Sequence, residues 1–132
     1  MNDALFSVGV LVLRVAFGAS MLFAHGLPKM KTIIEGKASS FLDPVGLGSV
    51  FSLYLATFAE LVCAAAIIVG LYTRFAAVIL AVNMAVAVYF LYTQNPQWSN
   101  LELAFLYLLG FAVIAITGAG NASVDKLIGW KF

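Results

Sequence analysis

Charge is scarce in this sequence. Seven Lys or Arg and six Asp or Glu make up 10% of its 132 residues, whereas a soluble domain carries roughly 25%. So few charges cannot wet the surface of a soluble fold. The net charge of +1 gives no electrostatic footprint for nucleic acid, so no nucleic-acid partner is expected. The single cysteine, Cys63, excludes an intramolecular disulfide, a CxxC redox motif and an iron–sulfur cluster held by this chain alone. No CxxCH is present, which excludes a c-type haem, and no covalently bound cofactor is expected. The one histidine, His25, forms no recognised metal-ligand spacing with Glu or Cys, so no metal is expected.

Apolar residues fill the space that charge leaves. They make up 64% of the chain, and the mean hydropathy is +1.06. Residues 1–132 therefore read as one domain of an integral membrane protein. Four apolar runs stand out, Leu5–Leu27, Val50–Tyr72, Phe75–Tyr92 and Leu101–Ala119. A helix crosses roughly 30 Å of hydrocarbon with about 20 residues, within a range near 17–25, and all four runs qualify. They must be helical, because backbone polar groups find no water in lipid. The fold class expected is all-α, an antiparallel four-helix transmembrane bundle. The small-residue ladders Ala16/Ser20/Ala24 and Ala77/Ala81/Ala85 are expected to let helices approach closely.

The breaks have local causes. Pro28, after His25-Gly26, is expected to end or kink the first helix. Gly70–Arg74 and Asn95–Asn100 read as turns, and Gly118–Asn121 ends the last span. Tyr72, Tyr89, Tyr92, Trp98 and Trp130 fall near span ends, as interfacial aromatics do. Lys29–Ser49 is the longest connection, either an interfacial helix or lid or a plain surface loop. The start of the chain lacks a basic segment and Arg14 interrupts the first apolar run, so that run is expected to stay as a span rather than be removed as a signal peptide. Lys and Arg divide evenly, with Arg74, Lys126 and Lys131 on the N-terminal side and Lys29, Lys31 and Lys37 on the other. The orientation taken is both termini in the cytoplasm, in a bacterial inner membrane.

Three ionisable groups, Arg14, His25 and Glu60, lie within apolar spans. Each costs about 2.5–3.5 kcal/mol at bilayer depth on insertion scales, so such groups mark function or a structural lock. Arg14 and His25 are 11 residues apart, close to three turns, and share a helix face with Gly18 and Leu22. Counted from the N-terminal side, Arg14, Glu60 and Asn83 fall within roughly 6 Å in depth. This predicts a midplane Arg14–Glu60 pair with Asn83 beside it, either a structural clamp or part of a site. On the opposite side His25, Tyr92 and Glu102 are expected to cluster, where they can move protons or bind a quinone headgroup. Equally, His25 can simply cap a helix end, and Glu102 can serve the helix dipole. Cys63 reads as a small hydrophobe.

Several of these segments also resemble the DoxX family of small four-span membrane proteins. The resemblance rests on Leu13–Gly18 with His25-Gly26-Leu27-Pro28-Lys29, on Phe58-Ala59-Glu60-Leu61, on Gly70-Leu71-Tyr72-Thr73-Arg74, on Asn100-Leu101-Glu102, and on Gly118-Ala119-Gly120 with Ser123, Val124 and Asp125. It implies an oxidoreductase or quinol-oxidase-type membrane subunit, with a DoxD-type relative serving a thiosulfate:quinone oxidoreductase and other members linked to detoxification. It carries over Arg14, His25, Lys29, Glu60, Arg74 and Glu102. Where relatives often place a His at the end of the third span, this chain has Tyr89 and Tyr92.

Three functions then compete. In the first, the protein is a quinone-interacting redox subunit that draws electrons from a partner protein, with His25 as headgroup ligand or base and Glu102 as its proton partner. Tyr92 and Asn83 are substrate contacts in this reading, and Arg14–Glu60 is the lock. In the second it is a non-enzymatic docking or assembly subunit that uses the Lys29–Ser49 loop. In the third it is a small-solute or proton transporter, which four short helices enclose poorly without an oligomer. Lipid is its surroundings in every case.

Overall fold

A computed structural model describes residues 2–131. Among them there is no strand, and four helices are long and apolar enough to cross a membrane: α1 (Asp3–Ile34), α2 (Ser49–Val69), α3 (Thr73–Gln94) and α4 (Trp98–Thr117). A short α5 (Val124–Leu127) follows. The protein is an all-α multi-pass membrane bundle. Its outward-facing side chains are apolar, Val12, Phe75 and Ile116 among them, as a lipid-facing surface requires.

Helix α1 starts where the Asn2 side chain accepts the Ala4 N–H at 3.1 Å, with Asp3 placed favourably in the first turn. It runs for 32 residues, about 48 Å, and so exceeds the hydrocarbon thickness. The expected stop at Leu27 is not observed. A π-helical segment, Leu22–Gly26, precedes Pro28, and the Leu27 N–H reaches back to the Leu22 carbonyl. That widened turn disrupts the regular i→i−4 ladder just where the proline ring would otherwise clash with it, so the helix continues. Lys29 and Lys31 therefore lie on a helix rather than in the long loop.

The loop that remains carries one 3-10 turn, Ala38–Ser40. Asp43 fixes its far end. The Asp43 carboxylate accepts the Leu47 and Gly48 N–H groups, each at 2.9 Å, and the Ser52 hydroxyl at 3.2 Å. These bonds, the Gly48 N–H foremost, hold the Asp43 carboxyl below the usual carboxylate range.

Helix α2 holds a second π segment, Phe58–Cys63, and stops at Gly70, whose φ of 77° suits glycine. The following Tyr72 also takes a positive φ, 46°. Asp125 supports this turn from far along the chain, accepting the Tyr72 N–H at 2.7 Å and the Thr73 N–H at 2.9 Å. Two of the orphan donors of α3 are thereby satisfied. Helix α3 begins at Thr73, two residues earlier than expected, and α4 begins at Trp98, three earlier, because the turn between them is only Asn95–Gln97.

Met21, Leu53, Ile67, Leu80, Phe111 and Ile114 are fully buried. Arg14 and Gly18 turn inward on α1, and this phase leaves Ala16, Ser20 and Ala24 exposed. The ladder expected on the first span thus faces outward. Close approach comes from Gly18 instead, where a Cβ would lie 2.7 Å from the Ile68 side chain.

Candidate functional site

The two π segments lie against each other. A Cβ on Gly26 would sit 2.5 Å from the Glu60 carbonyl oxygen and 2.8 Å from its carbon, so at this crossing the backbones leave room for hydrogen alone. π segments inside α-helices recur at functional sites, and this pair sets the polar centre of the molecule. Lys29, about one turn beyond Gly26, forms an ion pair with Glu60 Oε2. The Asn83 side-chain N–H donates to the other oxygen, Glu60 Oε1, at 2.9 Å. The Glu60 side chain is 5% exposed and that of Lys29 20%. A buried carboxylate needs this degree of compensation, because leaving it unpaired costs several kcal/mol.

Lys29, Glu60 and Asn83 form the polar part of a cavity of about 480 Å³, a size suited to a small molecule. Its other walls are apolar apart from Ser52. Leu55 and Phe58 come from α2, Ile79, Val86 and Phe90 from α3, and Phe41 and Leu42 from the loop. The long connection therefore roofs a cavity, which supports the lid reading over a plain surface loop.

The expected Arg14–Glu60 pair is not formed. Arg14 is 1% exposed and spends its guanidinium on carbonyls. Its Nε donates to Ile67 at 2.9 Å and Nη2 to Ile68 at 3.0 Å. Nη1 donates to Ala122 at 3.0 Å and also to Ala119. Depth explains the outcome. Helix α1 starts at Asp3, well beyond the end of α2 at Val69, so Arg14 stands level with the last turn of α2 at Ile67 and Ile68, and Glu60 lies about 10 Å deeper. The last turn of a helix offers unpaired carbonyls and a partial negative charge, and a five-donor guanidinium satisfies them. The part of the expectation that joined Asn83 to Glu60 is observed.

No hydrogen bond or ion pair among the described residues joins His25, Tyr92 and Glu102. The half-buried His25 ring stands edge-on to Tyr107, with centroids 5.6 Å apart. Tyr92 is 59% exposed. In the first turns of α4 it is Leu101 and Ala104 that face inward, which turns Glu102 outward. Similar depth placed the three together in the sequence reading, and the rotation of each helix separates them. Cys63 is buried in the π segment of α2.

Residue patterning did not reveal Lys29 as the partner of Glu60. The residue lies outside the expected span, and only the resemblance makes it a candidate for the site. The length of a lysine stem was the available signal, since such side chains reach back along apolar surface to place their charge.

The DoxX family model matches residues 9–93, more than half of the chain and the whole of the segment that builds the cavity. The chain belongs to the DoxX family. Relatives in this family include a Bacillus subtilis protein described as "Putative oxidoreductase CatD", 32% identical over 123 residues, covering 93% of this chain and 89% of the relative. An uncharacterized protein of Haemophilus influenzae is 39% identical over 117 residues, 82% of each chain. No solved structure matches this DoxX chain.

Proposed function

We propose that this DoxX-family protein is a quinone-reactive oxidoreductase subunit of the bacterial inner membrane, and that it holds a quinone or quinol headgroup at Lys29, Glu60 and Asn83. The observation that carries the reading is the cavity itself, an apolar slot with a buried ion pair at its polar part. A quinone has the same division, two ring oxygens on an apolar body. The Lys29 ammonium and the Asn83 amide donate to a ring oxygen, and Glu60 accepts from a quinol hydroxyl. Reduction of the quinone forms two O–H bonds from two electrons, drawn from a partner protein, and two protons, both taken up from water at the membrane face by way of Lys29 and Glu60. The Bacillus relative's description as an oxidoreductase supports the same class of reaction.

Mass spectrometry of small molecules retained after gentle extraction from the native membrane tests this reading. Stoichiometric quinone in the wild type, lost in Glu60→Gln, is the expected result. Quinone no richer than in bulk lipid overturns it. Retention lost in His25→Ala but kept in Glu60→Gln moves the headgroup to His25.

A second reading, a docking subunit, draws support from the loop. Leu42, Val45 and Leu47 are each at least half exposed on a segment held by Asp43. Cross-links from this loop to lipid alone would remove it. For orientation, Lys29 is engaged inside the cavity rather than in a loop, which leaves Lys31 and Lys37 against Arg74, Lys126 and Lys131. That balance favours residues 2 and 131 on the cytoplasmic face. Accessibility of a cysteine introduced at Asn121 checks it.

A further inference from the structure

The opposite end of the bundle carries a second recess, of about 270 Å³, between the start of α3 and the end of α4. Arg74, Lys126 and Lys131 all line it, together with Trp130, Asp125 and Gly118. The cations of the two membrane faces differ in kind. Lys29 is paired with Glu60, and Lys31 and Lys37 both approach Glu35. Among the described residues no carboxylate lies within ion-pair distance of Arg74, Lys126 or Lys131. Three cations with no carboxylate partner among the described residues therefore converge on one recess at the end of the spans.

The recess holds one acid, Asp125, whose carboxylate would repel an anion if it stood free. Both of its oxygens are engaged by the Tyr72 and Thr73 N–H groups. Its charge is thus set against the start of α3. Arg74 lies across the end of α4, where a Cβ on Gly118 would be 3.0 Å from its Nε. The Arg74 guanidinium makes no hydrogen bond to another described residue, so its five donors remain available to a ligand. Trp130 stands at the rim, 47% exposed, and packs edge-on against Tyr72 at 4.8 Å. Aromatic side chains of this kind sit at headgroup level.

We infer that this recess binds the headgroup of an anionic phospholipid, with the phosphate held by Arg74, Lys126 and Lys131. Its volume takes a phosphate and the adjoining glycerol, and the acyl chains run outside it along the apolar surfaces of α3 and α4. A zwitterionic headgroup is disfavoured, because its ammonium would meet the same three cations. The site is independent of the quinone reading and lies at the other membrane face.

Native mass spectrometry of the full chain, exchanged into equal amounts of phosphatidylglycerol and phosphatidylcholine, tests the inference. The wild type should keep one phosphatidylglycerol under collisional activation that strips phosphatidylcholine. Each cation removed should lower the preference about fivefold, so Lys126→Gln alone gives that loss, and Arg74→Gln with Lys126→Gln leaves only the roughly fivefold preference that Lys131 supplies. Lys126 is exposed, so its single variant keeps the fold and remains informative if the double variant fails to accumulate. Inorganic phosphate at millimolar concentration should compete only weakly, because it lacks the anchoring chains. Equal retention of both lipids by the wild type, an unchanged preference in Lys126→Gln, or complete displacement of the lipid by inorganic phosphate would each overturn the assignment.

Discussion

Gly26 and Glu60 meet backbone to backbone, and the Lys29–Glu60 ion pair exists because they do. A methyl group on Gly26 would fall 2.5 Å from the Glu60 carbonyl oxygen, an atom that cannot move without displacing α2. Gly26→Ala should therefore destabilise the protein by about 1–3 kcal/mol, as overpacking does. It should also weaken quinone retention by pushing Lys29 away from Glu60. Gly9→Ala is the natural control, since nothing lies within 4 Å of a Cβ there. It should be neutral or stabilising by up to about 1 kcal/mol. Unfolding in mild detergent distinguishes the two, and a Gly26→Ala protein as stable as Gly9→Ala would refute the close-crossing account.

Arg14 closes the other end of the bundle. It ties the last turn of α2 to the Ala119–Ala122 segment through four carbonyls. Arg14→Ala strips donors from several buried acceptors, and a loss of about 3–5 kcal/mol is expected. Arg14→Lys keeps the charge but offers three donors from a single point. It should recover only part of the loss and leave residues 118–123 open to hydrogen exchange. Full rescue by lysine would mean that charge alone matters there.

Arg14 and Lys29 also show what the sequence could and could not reveal. Apolar runs and their breaks indicated four helices, because lipid forces every backbone group into internal bonds. The buried polarity of Arg14 and Glu60 was legible for the same reason. Their partners were not, because pairing depends on axial offset. Helix α1 starts well beyond the end of α2, which puts Arg14 at the level of Ile67 rather than of Glu60, and apolar run lengths do not report such an offset. The π segments carry no composition signal of their own. With them went the continuation of α1 through Pro28, and with that the position of Lys29. His25, Tyr92 and Glu102 were joined by depth alone, and depth does not fix which way a helix is turned.

Asp43 gives the loop over the cavity a pH dependence of known sign. Its carboxyl is held below the ordinary value of 3.8 by N–H donors, with that of Gly48 foremost. A group whose folded pKa is depressed contributes fully above its unfolded value and loses that contribution as pH falls through the folded one. The loop should stay anchored at neutral pH and loosen only below about pH 3.8, the ordinary value. Limited proteolysis at residues 36–48 with an acid-active protease reads this directly. Asp43→Asn should be cleaved faster than wild type by a neutral protease at pH 7, and with the acid-active protease it should lack the step that wild type shows as Asp43 is protonated.

The Lys29–Glu60 pair separates a structural from a functional role by a double-mutant cycle. Glu60→Leu alone leaves an ammonium in a largely apolar recess, and Lys29→Met alone leaves a carboxylate 5% exposed with Asn83 as its remaining partner. Either single change should cost about 3–5 kcal/mol, whereas both together should be far milder, because an apolar pair of similar volume often replaces a buried ion pair without loss. Stability is thus expected to return in the double variant. Quinone retention is not, since the cavity would then have lost both charged groups that recognise ring oxygens. A double variant that is stable and still holds quinone at the wild-type level would show the ion pair to be a lock, and would leave Asn83 alone to explain how a headgroup is recognised.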